Sequence, residues 1–184
     1  NNVVHGRDID LYVNRIHCYN PLTNEMLAKM SDDITEVTKD ILPDQKIDCA
    51  YLDVTDLKSV EDFAEFTIKC FGRVDMLINN AGIAGARGRI DKVDVVEAKK
   101  IFDVNFFGVW HGCAVFSKKM IEQGTKSAIY NLGSENSLFI AVPKSVAYVA
   151  SKHSVFALSE SLRNDLPDFI HVGTIFPGYV DTPL

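Results

Sequence analysis

The sequence lacks any uncharged apolar run close to the roughly 20 residues that a membrane-spanning helix needs. It also lacks a basic block, since 19 Lys and Arg stand against 25 Asp and Glu, for a net charge of −6 and a pI near 5.3. We therefore expect no membrane association and no nucleic-acid partner. The first ten residues are polar and charged, which is unlike a secretory signal peptide.

Cysteine and histidine motifs are missing too. The four cysteines are widely spaced and form no CxxC pair, a pattern that favours reduced thiols in the cytoplasm over a disulfide framework. The five histidines are dispersed and show no metal-ligand spacing. We therefore predict a cytoplasmic protein with no metal site.

What the sequence does contain is an alternation of short apolar runs with longer segments of helical period. We predict one domain over residues 1–184. Strands are predicted at 47–54, 74–78, 127–132 and 169–176, and helices at 57–71, 94–123 (interrupted near Gly108 and Gly112) and 147–166. Such alternation predicts an α/β, Rossmann-type doubly wound parallel sheet with helices on both faces.

The carboxyl ends of parallel strands form one rim, and ligands of doubly wound sheets bind there. In this sequence the predicted strands end at Asp53, at residues 79–82, at Gly133 and Ser134, and at residues 177–178. We expect these positions to lie together. A binding site is therefore predicted at this edge of the sheet.

Tyr148 and Lys152 stand four residues apart in a predicted helix, so their side chains share one helical face. A free phenol has a pKa of about 10 and is a poor base at neutral pH. A neighbouring cation favours the phenolate and brings that pKa towards the working range. The pair is a candidate acid–base, although Tyr-x-x-x-Lys alone also occurs by chance on exposed helices.

Five motifs in a fixed order strengthen this reading, and with them the sequence resembles the short-chain dehydrogenase/reductase family over roughly residues 47–184. The resemblance implies an NAD(P)-dependent oxidoreductase that interconverts a secondary alcohol and a ketone, or reduces a related carbonyl. The motifs are Asp53-Val54, Asn79-Asn80-Ala81-Gly82, Asn105 in DVNFFG, Gly133-Ser134 ahead of Tyr148 and Lys152, and Pro177-Gly178-x-Val180-x-Thr182.

The resemblance also implies catalytic roles. Tyr148 would protonate a carbonyl oxygen or accept an alcohol proton, and Ser134 would hydrogen-bond the same oxygen. Lys152 would bind the nicotinamide ribose and favour the Tyr148 phenolate. Asn105 would hold a water that links Lys152 to solvent, or would serve only as a structural residue of a bent helix.

Cofactor contacts follow from the same resemblance. Asp53 and Val54 would face the adenine, although Asp53 could instead cap the following helix, a task for which Thr55 and Asp56 are closer. The remaining cofactor-binding candidates lie under the cofactor or beside its nicotinamide, and they are Asn80, Ala81, Gly82, Pro177, Gly178, Val180 and Thr182. Pro177-Gly178 could also be a simple turn.

The sequence departs from the family in its glycines. No glycine-rich turn for a pyrophosphate precedes residue 72, and Gly82, Gly85 and Gly88 follow the wrong strand. Either the N-terminal unit lies outside this sequence, which we favour, or the protein does not bind a dinucleotide normally. The family also continues beyond residue 184, so we expect both ends to be incomplete.

Two choices stay open. If residues 3–8 form the second strand, Arg7 would be placed to meet a 2′-phosphate and would favour NADP. If residues 16–20 form that strand, Asn20 occupies the position that distinguishes NADP from NAD. Neither register supplies an acidic residue that marks NAD, so NADP is preferred over NAD. Ser134 lies one residue further from Tyr148 than is commonest in the family, so Ser137 is a competing candidate.

Alternative functions are a non-catalytic nucleotide-binding or sensor protein, and an epimerase or dehydratase. The four-residue set of Asn105, Ser134, Tyr148 and Lys152 argues against a pure binder. The expected partners are a small carbonyl or alcohol substrate and further copies of the chain, as a homodimer or homotetramer. Aromatic residues at 102, 106, 107 and 110 are spaced like a core or interface stripe.

Overall fold

A computed structural model describes residues 48–138 and 142–178. Both candidate registers near the N-terminus, with Arg7 and Asn20, lie outside the described residues, as do Val180 and Thr182. The described elements, in chain order, are α1 (Leu57–Phe71), β1 (Met76–Asn79), α2 (Val95–Phe102), a π-helical turn (Asp103–Phe107), α3 (Gly108–Gln123), β2 (Ser127–Leu132), a 3₁₀ turn (Glu135–Ser137), α4 (Val146–Asp165) and β3 (Ile170–Ile175).

The three described strands form one parallel sheet in the order β1-β2-β3. Helical segments connect them, as parallel neighbours require. The predicted parallel α/β sheet is therefore confirmed. The predicted strand at 47–54 is wrong for residues 48–54, which pair with no described strand and lead through a turn into α1. That strand was predicted from apolar composition alone. A β-strand also needs a neighbouring strand with which to form backbone hydrogen bonds.

Both ends of helix α1 are set by local capping residues. Asp56 caps its start by accepting a hydrogen bond from Lys58 N, and Gly72 ends it in the left-handed region at φ 78°. Asp56, rather than Asp53, is thus the helix cap. The apolar face of α1 buries Val60 and Phe63, and the Phe63 ring meets the Phe116 ring of α3 edge-on at 6.4 Å between centroids.

The core lies where α1, α3 and α4 meet the sheet. Its buried members include Val109 and Phe116 of α3, Ile129 of β2 and Val155 of α4. A side chain of this kind stabilises the fold by about 1.5–3 kcal/mol when fully buried. Packing around this core positions α4, which carries Tyr148 and Lys152, against the sheet.

The long helix predicted at 94–123 begins at Val95, with Asp94 as its cap, and its interruption is a π-helical turn at Asp103–Phe107. The expected break near Gly108 and Gly112 is thus placed slightly too late, because both glycines belong to regular helix α3. Gly108 is needed for close approach, since a Cβ there would lie 2.7 Å from Val54 Cγ2. π-turns of this kind often mark functional sites.

Candidate active site

The carboxyl ends of β1, β2 and β3 meet at one rim, and the segment of Asp53, which is not a strand, lies beside them. After β2, Gly133 N donates to Ile175 O at 2.9 Å and Glu135 N donates to Pro177 O at 3.0 Å. At the other side, Val54 and Ala81 pack in one small apolar cluster with Val104. The segments near Asp53, Gly82, Ser134 and Pro177 therefore line the same edge.

Lys152 is the most unusual residue of this rim, because its side chain is buried, with 5% of the residue exposed. Its Nζ donates to Leu132 O at 2.7 Å and lies 6.0 Å from the centre of the Tyr148 ring. Burial lowers the pKa of the Lys152 ammonium to about 8. Because an ammonium has three N–H donors and Leu132 O is its acceptor among the described residues, two donors remain for a ligand.

Ser134 is the N-cap of the 3₁₀ turn that follows β2, and it is 6% exposed. Its Oγ accepts from Asn136 N and Asn136 Nδ2, at 3.2 Å each. Within the described residues this oxygen donates no hydrogen bond, so its own hydrogen is available for an oxygen at the rim. Ser134 thus has the donor that a role on a carbonyl oxygen requires.

Ser137, the competing serine, is placed differently. It is 1% exposed, its Oγ donates to Lys152 O at 2.8 Å, and the same oxygen accepts from Ser134 N at 3.0 Å. Its hydroxyl hydrogen is therefore used inside the protein. This geometry supports Ser134 rather than Ser137 as the serine that meets a ligand.

Asn105 is completely buried in the π-helical turn. Its Oδ1 accepts from Ile83 N at 2.7 Å, and its Nδ2 donates to Ile83 O at 3.0 Å and to Ser151 Oγ at 3.1 Å. Asn105 thus ties the segment after β1 to α4. Both amide hydrogens are used, so the predicted water relay stays a prediction and needs the second lone pair of Oδ1 or the backbone carbonyl.

Gly82 leaves bare backbone beside the Lys152 ammonium and the Asn105 amide. A Cβ at this exposed position would lie 3.4 Å from Lys152 Nζ and 3.5 Å from Asn105 Oδ1. The first carbon of any side chain at this position would therefore be in van der Waals contact with both the Lys152 ammonium and the Asn105 amide oxygen. Bare backbone beside a buried ammonium with two unused donors fits a ligand that carries hydroxyl groups, such as a nucleotide ribose.

Asp53 and Val54 lie in a turn that the Asp53 carboxylate stabilises. Asp53 Oδ1 accepts from Thr55 N at 2.9 Å and from Thr55 Oγ1 at 2.7 Å, and Asp53 N donates to Ser59 Oγ at 2.9 Å. Val54 is buried, and its carbonyl lies 2.9 Å from His111 Nδ1. An adenine contact of Asp53 stays a prediction and would use the other carboxylate oxygen.

Sequence reasoning missed a buried polar chain behind the rim. Asn79 and Asn131 face each other in the β1–β2 register, and Asn79 Nδ2 donates to Asn131 Oδ1 at 2.8 Å. Asn131 Nδ2 then donates to Ser159 Oγ of α4 at 2.9 Å. The available signal was an amide near the end of each of two otherwise apolar strands. Gly112 makes room for it, since a Cβ there would lie 2.1 Å from Asn79 Oδ1.

No helix in residues 48–138 and 142–178 is both long and apolar enough to cross a bilayer. The same residues contain no group of three or more His, Cys, Asp or Glu side chains that could hold a metal ion.

Comparison with known proteins identifies the family. A family model described as short chain dehydrogenase matches residues 20–184. The probable oxidoreductase EphD of Mycobacterium tuberculosis is 37% identical over 133 residues, which are 71% of this chain and 22% of that protein. The chain spans about half the length, or less, of the first curated relatives that it matches.

Solved structures agree in fold. A short chain dehydrogenase/reductase from Burkholderia phymatum in complex with NAD matches with a TM-score of 0.76 and 29% identity, over 85% of this chain and 54% of that one. A gluconate 5-dehydrogenase from Burkholderia cenocepacia in complex with NADP and tartrate matches with a TM-score of 0.77 and 25% identity, over 87% and 60%. The chain belongs to the short-chain dehydrogenase/reductase family.

Proposed function

We propose that the protein is an NAD(P)-dependent oxidoreductase that interconverts a secondary alcohol and a ketone, or reduces a related carbonyl. The observation that carries this proposal is the buried Lys152 ammonium. It shares a helical face with Tyr148 and reaches the carbonyl of Leu132, two residues before Ser134. Burying such a charge is costly, and a site that uses it explains why it is there.

The protein side of the reaction is acid–base chemistry at one oxygen. When bound, the nicotinamide supplies the hydride to the carbonyl carbon in reduction, or accepts it in oxidation. Tyr148 then gives its phenolic proton to the carbonyl oxygen, or takes the alcohol proton in the reverse direction. Ser134 donates its unused hydroxyl hydrogen to the same oxygen. The Lys152 ammonium stabilises the phenolate that remains on Tyr148.

Binding of the cofactor would use the rim. The two remaining N–H donors of Lys152 would meet the ribose hydroxyls above Gly82, with Asn80 and Ala81 alongside. Asp53 and Val54 would contact the adenine, and the segment of Pro177, Gly178, Val180 and Thr182 would contact the nicotinamide. The structural neighbours include one that holds NAD and one that holds NADP, so either cofactor is proposed for this chain. NADP is preferred in the register that makes residues 3–8 a strand with Arg7, whereas the alternative register places Asn20 at that position.

Subunit pairing is proposed through the outer faces of α3 and α4. A groove of about 590 Å³ runs between them, lined by apolar residues that include Phe106, Trp110, Leu158 and Leu162. The Trp110 residue is 49% exposed, which is high for so large an apolar side chain. The proposed assembly is a homodimer or homotetramer that covers this groove.

The decisive variant is Tyr148→Phe in the intact protein. We expect it to lower ketone reduction by at least about 100-fold, because the proton donor is lost, while NADH and NADPH binding stays within about twofold. Turnover would be followed as NAD(P)H oxidation with butanone, cyclohexanone and acetophenone, and binding by cofactor fluorescence. Tyr130→Phe, the same change on a strand tyrosine that contacts His171, is the matched control.

Two results would contradict the proposal. Turnover by Tyr148→Phe close to that of the unmodified protein would show that the phenol is not the proton donor. Cofactor binding by the unmodified protein, without turnover of any of the three ketones or of the matching alcohols, would favour the sensor alternative.

A further inference from the structure

The hydroxyl of Ser137 lies between the backbones of the two chain segments that carry the proposed catalytic residues. Ser137 Oγ donates to Lys152 O in α4 at 2.8 Å and accepts from Ser134 N at 3.0 Å. In addition, Ser137 N donates to Ser134 O at 2.8 Å. One small side chain thus connects the turn that bears Ser134 to the helix that bears Tyr148 and Lys152.

The surroundings of this hydroxyl leave it little freedom. Ser137 is 1% exposed, so no solvent competes for its hydrogen bonds. A Cβ at Gly133 would lie 2.9 Å from Ser137 Oγ and 3.0 Å from Thr174 Cγ2, so the backbone of Gly133 packs directly against it. The tie is therefore short, buried and sterically enclosed.

Ser137 itself is not suited to touch a substrate, since its hydrogen is committed to Lys152 O and its residue is buried. It can act only through the groups that it holds. The Ser134 hydroxyl is bonded within its own turn, by Asn136 N and Nδ2. Moving that turn relative to α4 would therefore move the Ser134 hydroxyl as a unit away from the Tyr148 phenol.

We propose that Ser137 is a positioning residue that holds the Ser134 hydroxyl in register with Tyr148 by tying the turn after β2 to the backbone of α4. This inference rests on the proposed oxidoreductase function. Displacements of about 1 Å in a catalytic group cost on the order of 100-fold in rate. Tyr148 and Lys152 share α4, so their mutual geometry does not depend on the tie.

The test is a double-mutant cycle of Ser137→Ala and Ser134→Ala in the intact protein, with kcat/KM for cyclohexanone and NADPH as the readout. We expect Ser137→Ala to lower kcat/KM by about 10- to 100-fold and Ser134→Ala to lower it at least as much. The double variant should match Ser134→Ala within about threefold, because a misplaced hydroxyl and a missing one cost the same step. NADPH affinity should stay within about twofold throughout.

Controls separate positioning from general destabilisation. Ser137→Cys fills nearly the same space with a much weaker donor and should show the same loss without a cavity. Ser127→Ala, at a buried serine at the opposite end of β2, should keep full activity. Hydrogen exchange of the Ser134 amide should become faster in Ser137→Ala, because its acceptor is gone.

The outcomes are distinguishable. Losses that multiply in the double variant, full activity of Ser137→Ala, or unchanged exchange of the Ser134 amide would each overturn the role of Ser137. An unmodified protein without turnover, or a Ser134→Ala variant with full turnover, would instead overturn the proposed function.

Discussion

Replacing Lys152 by methionine should stabilise the folded protein at neutral pH, although it removes a residue of the proposed site. The ammonium is buried at 5% exposure, and Leu132 O is its hydrogen-bond acceptor in the described part of the chain. Methionine has a similar length and helix propensity without the charge. The substitution therefore isolates the cost of burying the charge.

The magnitude follows from the pKa of Lys152, which burial lowers from 10.5 to about 8. Between those two values the unfolded chain binds the proton that the folded chain has lost, so stability rises with pH through this window. At pH 7 the penalty of the buried charge is fully present and amounts to about 3 kcal/mol. Loss of the bond to Leu132 O offsets about 1 kcal/mol of it, which leaves a net gain of about 2 kcal/mol.

Urea unfolding without cofactor, at pH 7 and pH 9.5, measures this difference. The advantage of Lys152→Met should shrink by more than half at pH 9.5, where most folded molecules carry neutral Lys152. Lys118→Met, on the exposed face of α3, controls for the general effect of removing a lysine and should change stability by less than about 0.5 kcal/mol at both pH values. A Lys152→Met variant that is less stable than the unmodified protein at pH 7 would refute the reasoning.

Two further predictions concern packing and assembly. Gly112→Ala should lower the free energy of unfolding by about 2–4 kcal/mol, because its Cβ would lie 2.1 Å from Asn79 Oδ1. In an Asn79→Ala background the same substitution should cost little, or should stabilise the protein through the higher helix propensity of alanine. An equal cost in both backgrounds, measured by urea unfolding, would show that the clash is not with Asn79. Light scattering at micromolar concentration should show a dimer or tetramer that Trp110→Asp dissociates, and a monomeric unmodified protein would contradict pairing through the α3–α4 groove.

Local signals account for what could be predicted from the sequence. The bounds of α1 follow from an apolar period of 3.6 that starts after Asp56 and ends at Gly72, and the bounds of β2 follow from an apolar run closed by Gly133. The Tyr148–Lys152 pair was also recognisable, because four residues in one helix fix the shared face. None of these features depends on distant residues.

The features that were missed depend on contacts between distant segments. Asn105, in the π-helical turn, bonds the backbone of Ile83, 22 residues earlier. The apolar period continues through the turn, so periodicity could not reveal it. Residues 48–54 were misassigned for the same reason, because their composition suits a strand but the described sheet gives them no ladder.

The buried polar groups behind the rim impose a common constraint on how this site can change. Asn105 holds Ile83, Asn131 joins Asn79 to Ser159, and Ser137 joins Ser134 to Lys152. Replacing Asn105 or Ser137 leaves backbone groups of Ile83, or of Ser134 and Lys152, without a hydrogen-bond partner, at about 1–3 kcal/mol each, and no second substitution removes those groups. Asn79, Asn131 and Ser159 interact through side chains, so replacing them together can be nearly neutral. Single substitutions of these residues therefore lower the stability of the folded protein, even where they leave Tyr148 unchanged. Each of these contacts joins two elements that meet at the rim. A substitution that would shift β1, β2 and α4 relative to one another therefore also lowers the stability of the fold.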